Sequence, residues 1–386
     1  MTRRPAISRR ALLAAAGLAA GGGLAGGLIV KRHQERTRAD PFRLLFCGDV
    51  NHGESYPTGG GREVGRHGYD RPFDRLRPLL AGADYTIANF ETVASYRRGP
   101  ALPGKDYLHF TDPALAPAAL ARAGIDAVSL ANNHALDLGA GGLADSRAAL
   151  DAAGIRHFGA GDDLGAAARP LLLEMPGAGG APRHLAVFGL FEDRPAYREA
   201  YGFYAGAATP GTATLDPVRF GRQVSALREV YPDLTAVAYP HWGANYRWRS
   251  AAQRRLAREL VDNGADLVIG HHAHCPQEIE RYRGRWILYG IGNLFFGSNG
   301  RFADFPEVLP LGLIAELRCG TRAGDDALRI YPLASDNRVT GFQPRLLGPA
   351  ESRTALLQVL AMSEISPARR GVRIAADQFG GFLELR

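Results

Sequence analysis

The sequence predicts an α/β fold, strands alternating with helices around a sheet, and three observations carry it. From Pro41 onward, short apolar runs of strand length alternate with longer helical segments almost to the chain end. Gly124, Gly154 and Gly264 each stand just past a helical segment, where a left-handed stop is wanted, and a strand-like run follows each. Finally, five polar patches each end an apolar run: Gly48-Asp49-Val50-Asn51-His52, Asn89-Phe90-Glu91-Thr92, Ala131-Asn132-Asn133-His134, His241-Trp242-Gly243 and Gly270-His271-His272-Ala273-His274. Side chains beyond the carboxyl ends of strands in an open α/β sheet converge on one crevice. The patches therefore read as a single site.

In chain order, residues 42–47 form the first strand, running into the first patch. A helix over 73–81 precedes the strand at 85–88, and Asp112 opens a helix over 113–122 that Gly124 ends. The strand at 125–130 runs into the third patch. A helix at 142–152 and a strand at 155–158 follow, separated by Gly154. Glycine-rich stretches at 59–61 and 177–180 read as loops, the second a hairpin leading into a strand at 184–190. Residues 197–210 are aromatic and glycine-rich without a period, either a substrate-cleft wall or padding. Helices at 217–230 and 251–263 alternate with strands at 234–239 and 265–269. After Gly320 come a strand at 328–333 and a helix near 353–362, with no linker before them, so 41–386 reads as one domain. No repeat of solenoid length is present.

The net charge of +7 invites a nucleic-acid reading that its distribution removes. Residues 1–40 hold eight Lys/Arg against Glu35 and Asp40, a surplus of +6, leaving +1 for the rest. There is no basic footprint for a polynucleotide. The surplus belongs to a leader. Ser8-Arg9-Arg10-Ala11-Leu12-Leu13 opens an uncharged Ala/Gly/Leu-rich stretch from Ala11 to Val30, which resembles a twin-arginine export signal. Such a stretch is long enough to meet or cross a bilayer. The expected location is therefore extracytoplasmic, either membrane-anchored or secreted. Cys47, Cys275 and Cys319 are odd in number, form no disulfide framework and read as small buried residues.

The residue types in the patches suit divalent cations. Asp49 and Glu91 are hard oxygen donors, and one carboxylate can bridge two cations. Asn133 offers an amide oxygen, and His241, His272 and His274 offer imidazole nitrogens suited to Zn, Mn or Fe. Two metals about 3.5–4 Å apart stabilise both the attacking and leaving oxygens of a phosphoryl displacement. His134, beside Asn133, is placed to protonate the leaving group. Three histidines within 271–274 at a strand end are the strongest single signal, because they have few structural uses.

The ordered series resembles the CapA family of capsule and poly-γ-glutamate biosynthesis proteins, whose fold is that of calcineurin-like metallophosphoesterases. The resemblance runs through Gly48-Asp49-Val50-Asn51-His52-Gly53-Glu54-Ser55-Tyr56, Tyr85-Thr86-Ile87-Ala88-Asn89-Phe90-Glu91-Thr92 and Ala131-Asn132-Asn133-His134 with Asp137 and Gly139. It continues through Phe158-Gly159-Ala160-Gly161, Pro240-His241-Trp242-Gly243, Gly270-His271 and Tyr289-Gly290-Ile291-Gly292-Asn293-Leu294, covering about residues 42–345. It implies a four-layer αββα sandwich of the metallo-dependent phosphatase type. It also implies two divalent cations, with Asp49 on the first, Glu91 bridging, Asn133 on the second, His134 as acid, and His241 with the last histidine cluster completing the set. His272 and His274 have the alternating ligand spacing, while His271 fits the usual Gly-His start and stays a candidate. Asn51, His52, His271, Trp242 and Asn293 stand beside these positions as candidates for substrate contact.

Two positions depart from the fold family's pattern. Asn51 stands where Asp-x-His has its histidine, with His52 one residue late, and Glu91 replaces an aspartate. Three functions are therefore carried forward. The first is an exported metal-dependent hydrolase or transferase acting on an anionic surface polymer or peptide. A metal-independent peptide epimerase would instead use Asp49 and His274 as its acid–base pair. The third is a non-catalytic, membrane-tethered accessory subunit of a polymer synthase.

Overall fold

The computed structural model describes residues 41–97, 102, 105 and 107–386, so the leader expected at 1–40 lies outside the described residues. Two mixed sheets stack face to face. In the larger, Phe42–Asn51 pairs in parallel with Tyr85–Phe90, then come Ala127–Ser129 and Arg156–Phe158. On its other side the antiparallel series Leu311–Cys319, Ala327–Ala334, Gly380–Leu385 and Val372–Asp377 carries the sheet to its far edge. The smaller sheet runs Leu171–Pro176, Pro182–Phe191, Thr235–His241, Leu267–Ile269, Arg285–Leu288 and Ile279–Tyr282.

The first strand shows why its sequence is apolar without alternation. Leu44 and Phe46 point into the core between the sheets, while Leu45 and Cys47 point outward beneath helices. A strand covered on both faces reads as a continuous apolar run. Leu79, Leu120, Leu143 and Leu150 of the helices Arg77–Ala81, Leu115–Ala123 and Gly139–Ala152 cover the larger sheet. Phe220, Val224, Ala257 and Leu260 of Pro217–Val230 and Ala251–Asp262 cover the smaller one. The layers are helix, sheet, sheet, helix, as the resemblance implied.

Gly124, Gly154 and Gly264 have φ of 100°, 73° and 103°, the left-handed stops expected of them. The loop expected at 59–61 instead opens the helix Gly60–His67. The helix expected at 73–81 shrinks to Arg77–Ala81, because Pro78 lacks an N–H and fits only a helix's first turn. The three cysteines are buried and unpaired, and burial pushes the thiols of Cys275 and Cys319 up to about 12. Among the described residues, no helix is long and apolar enough to cross a membrane.

Candidate metal centre

The strands Phe42–Asn51, Tyr85–Phe90, Ala127–Ser129, Thr235–His241 and Leu267–Ile269 all send their carboxyl ends to one edge of the sandwich, where the five patches meet. The register of the first strand shifts on both sides of Asp49, an irregularity of the kind that re-aims a side chain. Gly48 permits it: a Cβ there would lie 1.7 Å from the Gly292 carbonyl oxygen. Asp49 Oδ1 accepts from Asn89 Nδ2 at 2.8 Å, and Oδ2 accepts from the His272 backbone N–H at 3.0 Å. Asn89 Oδ1 accepts from Asn132 Nδ2 at 3.1 Å, and Asn132 Oδ1 accepts from the His134 N–H at 3.0 Å. These two amides tie the first three patches together. Neither was a candidate from sequence, although each stands within two residues of one.

Around Asp49 the other candidates close in. His271 Nδ1 is 3.3 Å from Oδ1 and His274 Nδ1 is 3.4 Å from Oδ2. Glu91 Oε1 lies 3.6 Å from His241 Nε2, 3.9 Å from His134 Nε2 and 4.0 Å from His272 Nδ1. Asn133 Oδ1 is 2.6 Å from His241 Nε2. Three triplets have ligand atoms mutually within 4.8 Å: Asp49, His241 and His271; Glu91, His241 and His272; Asp49, Glu91 and His274.

Glu91 is completely buried, yet neither carboxylate oxygen has a hydrogen-bond partner, and His272 Nδ1 and His271 Nε2 are equally bare. Leaving buried polar atoms unsatisfied costs about 1–3 kcal/mol each, more for charged groups. Cation ligands are the polar atoms that tolerate this, so the donor set fits divalent metal. His272 and His274 also adopt left-handed φ of 92° and 57°, unusual for residues with a Cβ and typical of strain kept at functional sites. Asn293 Oδ1 meets His274 Nδ1 at 2.9 Å and so orients that ring.

Burial works against the Asp49 carboxylate, but hydrogen bonds and charge from His271 and His274 outweigh it and hold it below the usual range. Burial and then the charge of Asp49 push the Glu91 carboxyl well above its usual range. Burial keeps His241 and His272 neutral, the form that ligates, and also holds His134 well below the usual imidazole range.

His134 has a supporting shell that sequence reading missed. Its Nδ1 meets Asp137 Oδ2 at 2.6 Å, leaving Nε2 facing the cluster. Asp137 also accepts from the Lys105 ammonium and, at 2.6 Å, from the His109 N–H. Lys105 donates to the Asn133 carbonyl at 2.7 Å, and the His109 ring stacks on His134 at 3.6 Å. Asp137 sat within the quoted motif but was given no role; Lys105 and His109 carried no local signal. Asn133, His134 and His274 keep 7%, 6% and 6% of their surface, so solvent reaches the cluster from their side.

Three of the substrate-contact assignments are corrected. His52 packs against Tyr69, Phe73 and Phe295, with Nε2 on the Tyr69 carbonyl at 3.2 Å, because successive strand residues face opposite ways. Trp242 is a core residue whose Nε1 donates to the Tyr289 carbonyl at 2.8 Å. His271 is fully buried behind His241, out of reach of a substrate. Asn51 spends its Oδ1 on the Gly53 N–H at 2.8 Å, and its Nδ2 has no hydrogen-bond partner.

A helix–sheet–sheet–helix sandwich that gathers Asp, Glu, Asn and His at the strand ends of both sheets has the calcineurin-like metallophosphoesterase fold. The chain belongs to the bacterial capsule synthesis protein PGA_cap family, whose sequence model matches residues 43–298. It is 29% identical over 258 residues to the PGA biosynthesis protein CapA of Bacillus subtilis (strain 168), covering 67% of this chain and 64% of that one. It is 30% identical over 275 residues to the capsule biosynthesis protein CapA of Bacillus anthracis, covering 69% and 61%. A probable polyglutamine synthesis accessory protein of Mycobacterium tuberculosis (strain ATCC 25618 / H37Rv) is 38% identical over 172 residues, covering 43% and 44%. The matches thus span less than two thirds of each of these relatives. The chain is also similar to the calcineurin-like phosphoesterase YfkN from Bacillus subtilis, at a TM-score of 0.42 and 12% identity, covering 80% of this chain and 88% of that one.

Proposed function

We propose that this chain is an exported hydrolase or transferase of capsule or poly-γ-glutamate biosynthesis, dependent on two divalent cations (Mn, Zn or Fe) and acting on an anionic polymer or peptide. The bare, buried Glu91 carboxylate among histidines from the other sheet carries the reading. Asp49, Glu91, Asn133, His241, His272 and His274 would hold the cations, which supply Lewis acidity and an activated water. His134, its Nδ1 donating to Asp137, presents Nε2 to the cluster; taking a proton from solvent there, with Asp137 balancing the imidazolium, it would hand that proton to the leaving oxygen. Arg194, a quarter exposed and anchored to Glu192 and the Gly243 carbonyl, is a cation whose charge reaches His241 and His272, and it would suit an acidic substrate. Export and membrane attachment through 1–40, action as the one domain 41–386, and work beside a membrane synthase are parts of the same proposal.

The metal-independent epimerase has less support. Two-base chemistry needs its bases on opposite faces of one carbon, whereas Asp49 Oδ2 and His274 Nδ1 are 3.4 Å apart with no room for a carbon between them. The test is metal content of the purified protein, followed by turnover of phosphodiester and γ-glutamyl substrates. Two ions per chain are expected, and His134→Ala should keep both while losing about 10²–10⁴-fold in rate. Protein that takes up no Mn, Zn or Fe sinks the metal reading. Loaded protein that turns over neither substrate class while binding polyglutamate favours the accessory role.

A further inference from the structure

The end of the sandwich opposite the metal centre holds the amino ends of the strands that lead to that centre, and two of its segments are basic and contain no acid. The edge strand Ile279–Tyr282 returns through Arg283 and Gly284 into Arg285–Leu288. Those two turn residues have φ of 46° and 79°, the signs of a tight type I′ turn, so exposed Arg281, Arg283 and Arg285 cluster at the tip. Residues 366–373, which run into the strand Val372–Asp377, add Arg369, Arg370 and Arg373, also exposed. The Ile279 N–H donates to Ser363 Oγ at 2.8 Å, and Ile365 and Val372 share a core with Ile279 and Trp286, so the two segments are neighbours. Asp262, Asp266 and Glu384 pair with Arg283, Arg285 and Arg373. Among the described residues no ion pair holds Arg281, Arg369 or Arg370.

Between these segments and the larger sheet opens a cavity of about 470 Å³, with an apolar floor of Trp286, Leu317, Leu328 and Leu385. Its acids are engaged: Asp266 by Arg228 and Arg285, Asp326 by Arg183, Asp233 by His184. Trp286 is 7% exposed, and its buried indole N–H has no acceptor. An unmet donor on an apolar floor, with guanidinium groups around it, matches the phosphate and ester zone of an anionic lipid. The path of the chain points to the same occupant. The first strand enters at this end, Phe42 pairing with Cys319 and Leu44 with Leu317 of the cavity wall. The apolar stretch 11–30 is then ten residues, at most about 35 Å of chain, from this face.

We propose that this basic end docks on an anionic phospholipid surface, with a lipid phosphate or ester oxygen accepting from the Trp286 N–H, and that the metal centre faces away from the membrane. The proposal does not depend on the two-cation reading; it uses only the attachment through 1–40 proposed above.

The test is the fluorescence of the full-length protein on vesicles of phosphatidylcholine, alone or mixed with phosphatidylglycerol, with acyl chains brominated near the headgroup. Of the three tryptophans, Trp242 and Trp248 pack near the metal centre, by Tyr289 and Ala273, which leaves Trp286 to report on this end. Quenching on the phosphatidylglycerol vesicles that is lost in Trp286→Phe is expected. Arg281→Gln, Arg369→Gln and Arg370→Gln together should lower the preference for those vesicles about 10–100-fold. Equal quenching on both vesicle types, quenching that survives in Trp286→Phe, or an unchanged preference in the arginine variant overturns the proposal. Attached protein without quenching overturns it while leaving attachment through 1–40 standing, and protein that stays off both vesicle types overturns both. Soluble polyglutamate that shifts Trp286 emission without vesicles assigns the face to polymer instead. The arginine variant, altered only at exposed side chains, decides if Trp286→Phe fails to fold.

Discussion

Glu91 is the residue on which the chemistry of the centre turns. Without a cation, burial and the neighbouring Asp49 charge hold its carboxyl well above the usual range, whereas Asp49 is held below its own. Near and above the ordinary carboxylate value, metal-free Glu91 therefore keeps a proton that Asp49 has already lost. A cation needs the carboxylate, so uptake should expel that proton, and affinity should rise with pH across the interval by which Glu91 is raised. Calorimetry in two buffers of different ionisation enthalpy reads the release directly. Glu91→Gln should abolish both the release and tight binding, and unchanged proton release in that variant would place the proton elsewhere. At this scale the sequence was most legible where chemistry is concentrated: Asp49, Glu91, Asn133 and the histidines converge as their strand-end positions imply. It was least legible where partners arrive from far along the chain. Lys105 reaches Asp137 and the Asn133 carbonyl from a stretch with no motif, and alternation turns His52 away from the patch that contains it.

Elements were legible through their stops and caps. Ser250 Oγ accepts from the Gln253 N–H at 3.1 Å while Gln253 Oε1 accepts from the Ser250 N–H at 2.9 Å, closing a capping box on Ala251–Asp262. Ser250→Ala should cost about 1 kcal/mol in urea unfolding and leave metal affinity unchanged, because this helix covers the smaller sheet from outside. Gly48→Ala should behave differently. Its methyl would strike the Gly292 carbonyl and force apart the two strands that set Asp49. Overpacking of this kind costs about 1–3 kcal/mol, and here metal affinity should fall with stability. A Gly48→Ala protein with native metal affinity would show that the irregularity at Asp49 is not what aims it. The sequence marks this glycine only as the first residue of a polar patch, since a contact with residue 292 has no local signature.

Across the whole molecule, the centre is assembled from both halves of the sandwich. Asp49, Glu91 and Asn133 follow strands of the larger sheet; His241, His272 and His274 follow strands of the smaller. Between the sheets lies an apolar core in which Phe46 meets Tyr239 at 5.9 Å between ring centres, and among the polar links across it are the Tyr239 hydroxyl on the Cys47 carbonyl and Arg183 on Asp326. Cations bound at the edge would therefore act as further staples across a seam closed mainly by nondirectional contacts. A ligand at about 100 times its dissociation constant stabilises the folded state by about 2.7 kcal/mol per site. Removing it with a chelator should lower Tm, and the loss should be spread over both sheets. Hydrogen exchange should accelerate at the carboxyl ends of Phe42–Asn51 and Thr235–His241 together, while the covering helices keep their protection. Glu91→Gln, lacking the staple from the start, should show little response to the chelator. Exchange that rises in one sheet alone would mean that the cations sit within a single layer, and that the six residues, close as they are, do not share a centre.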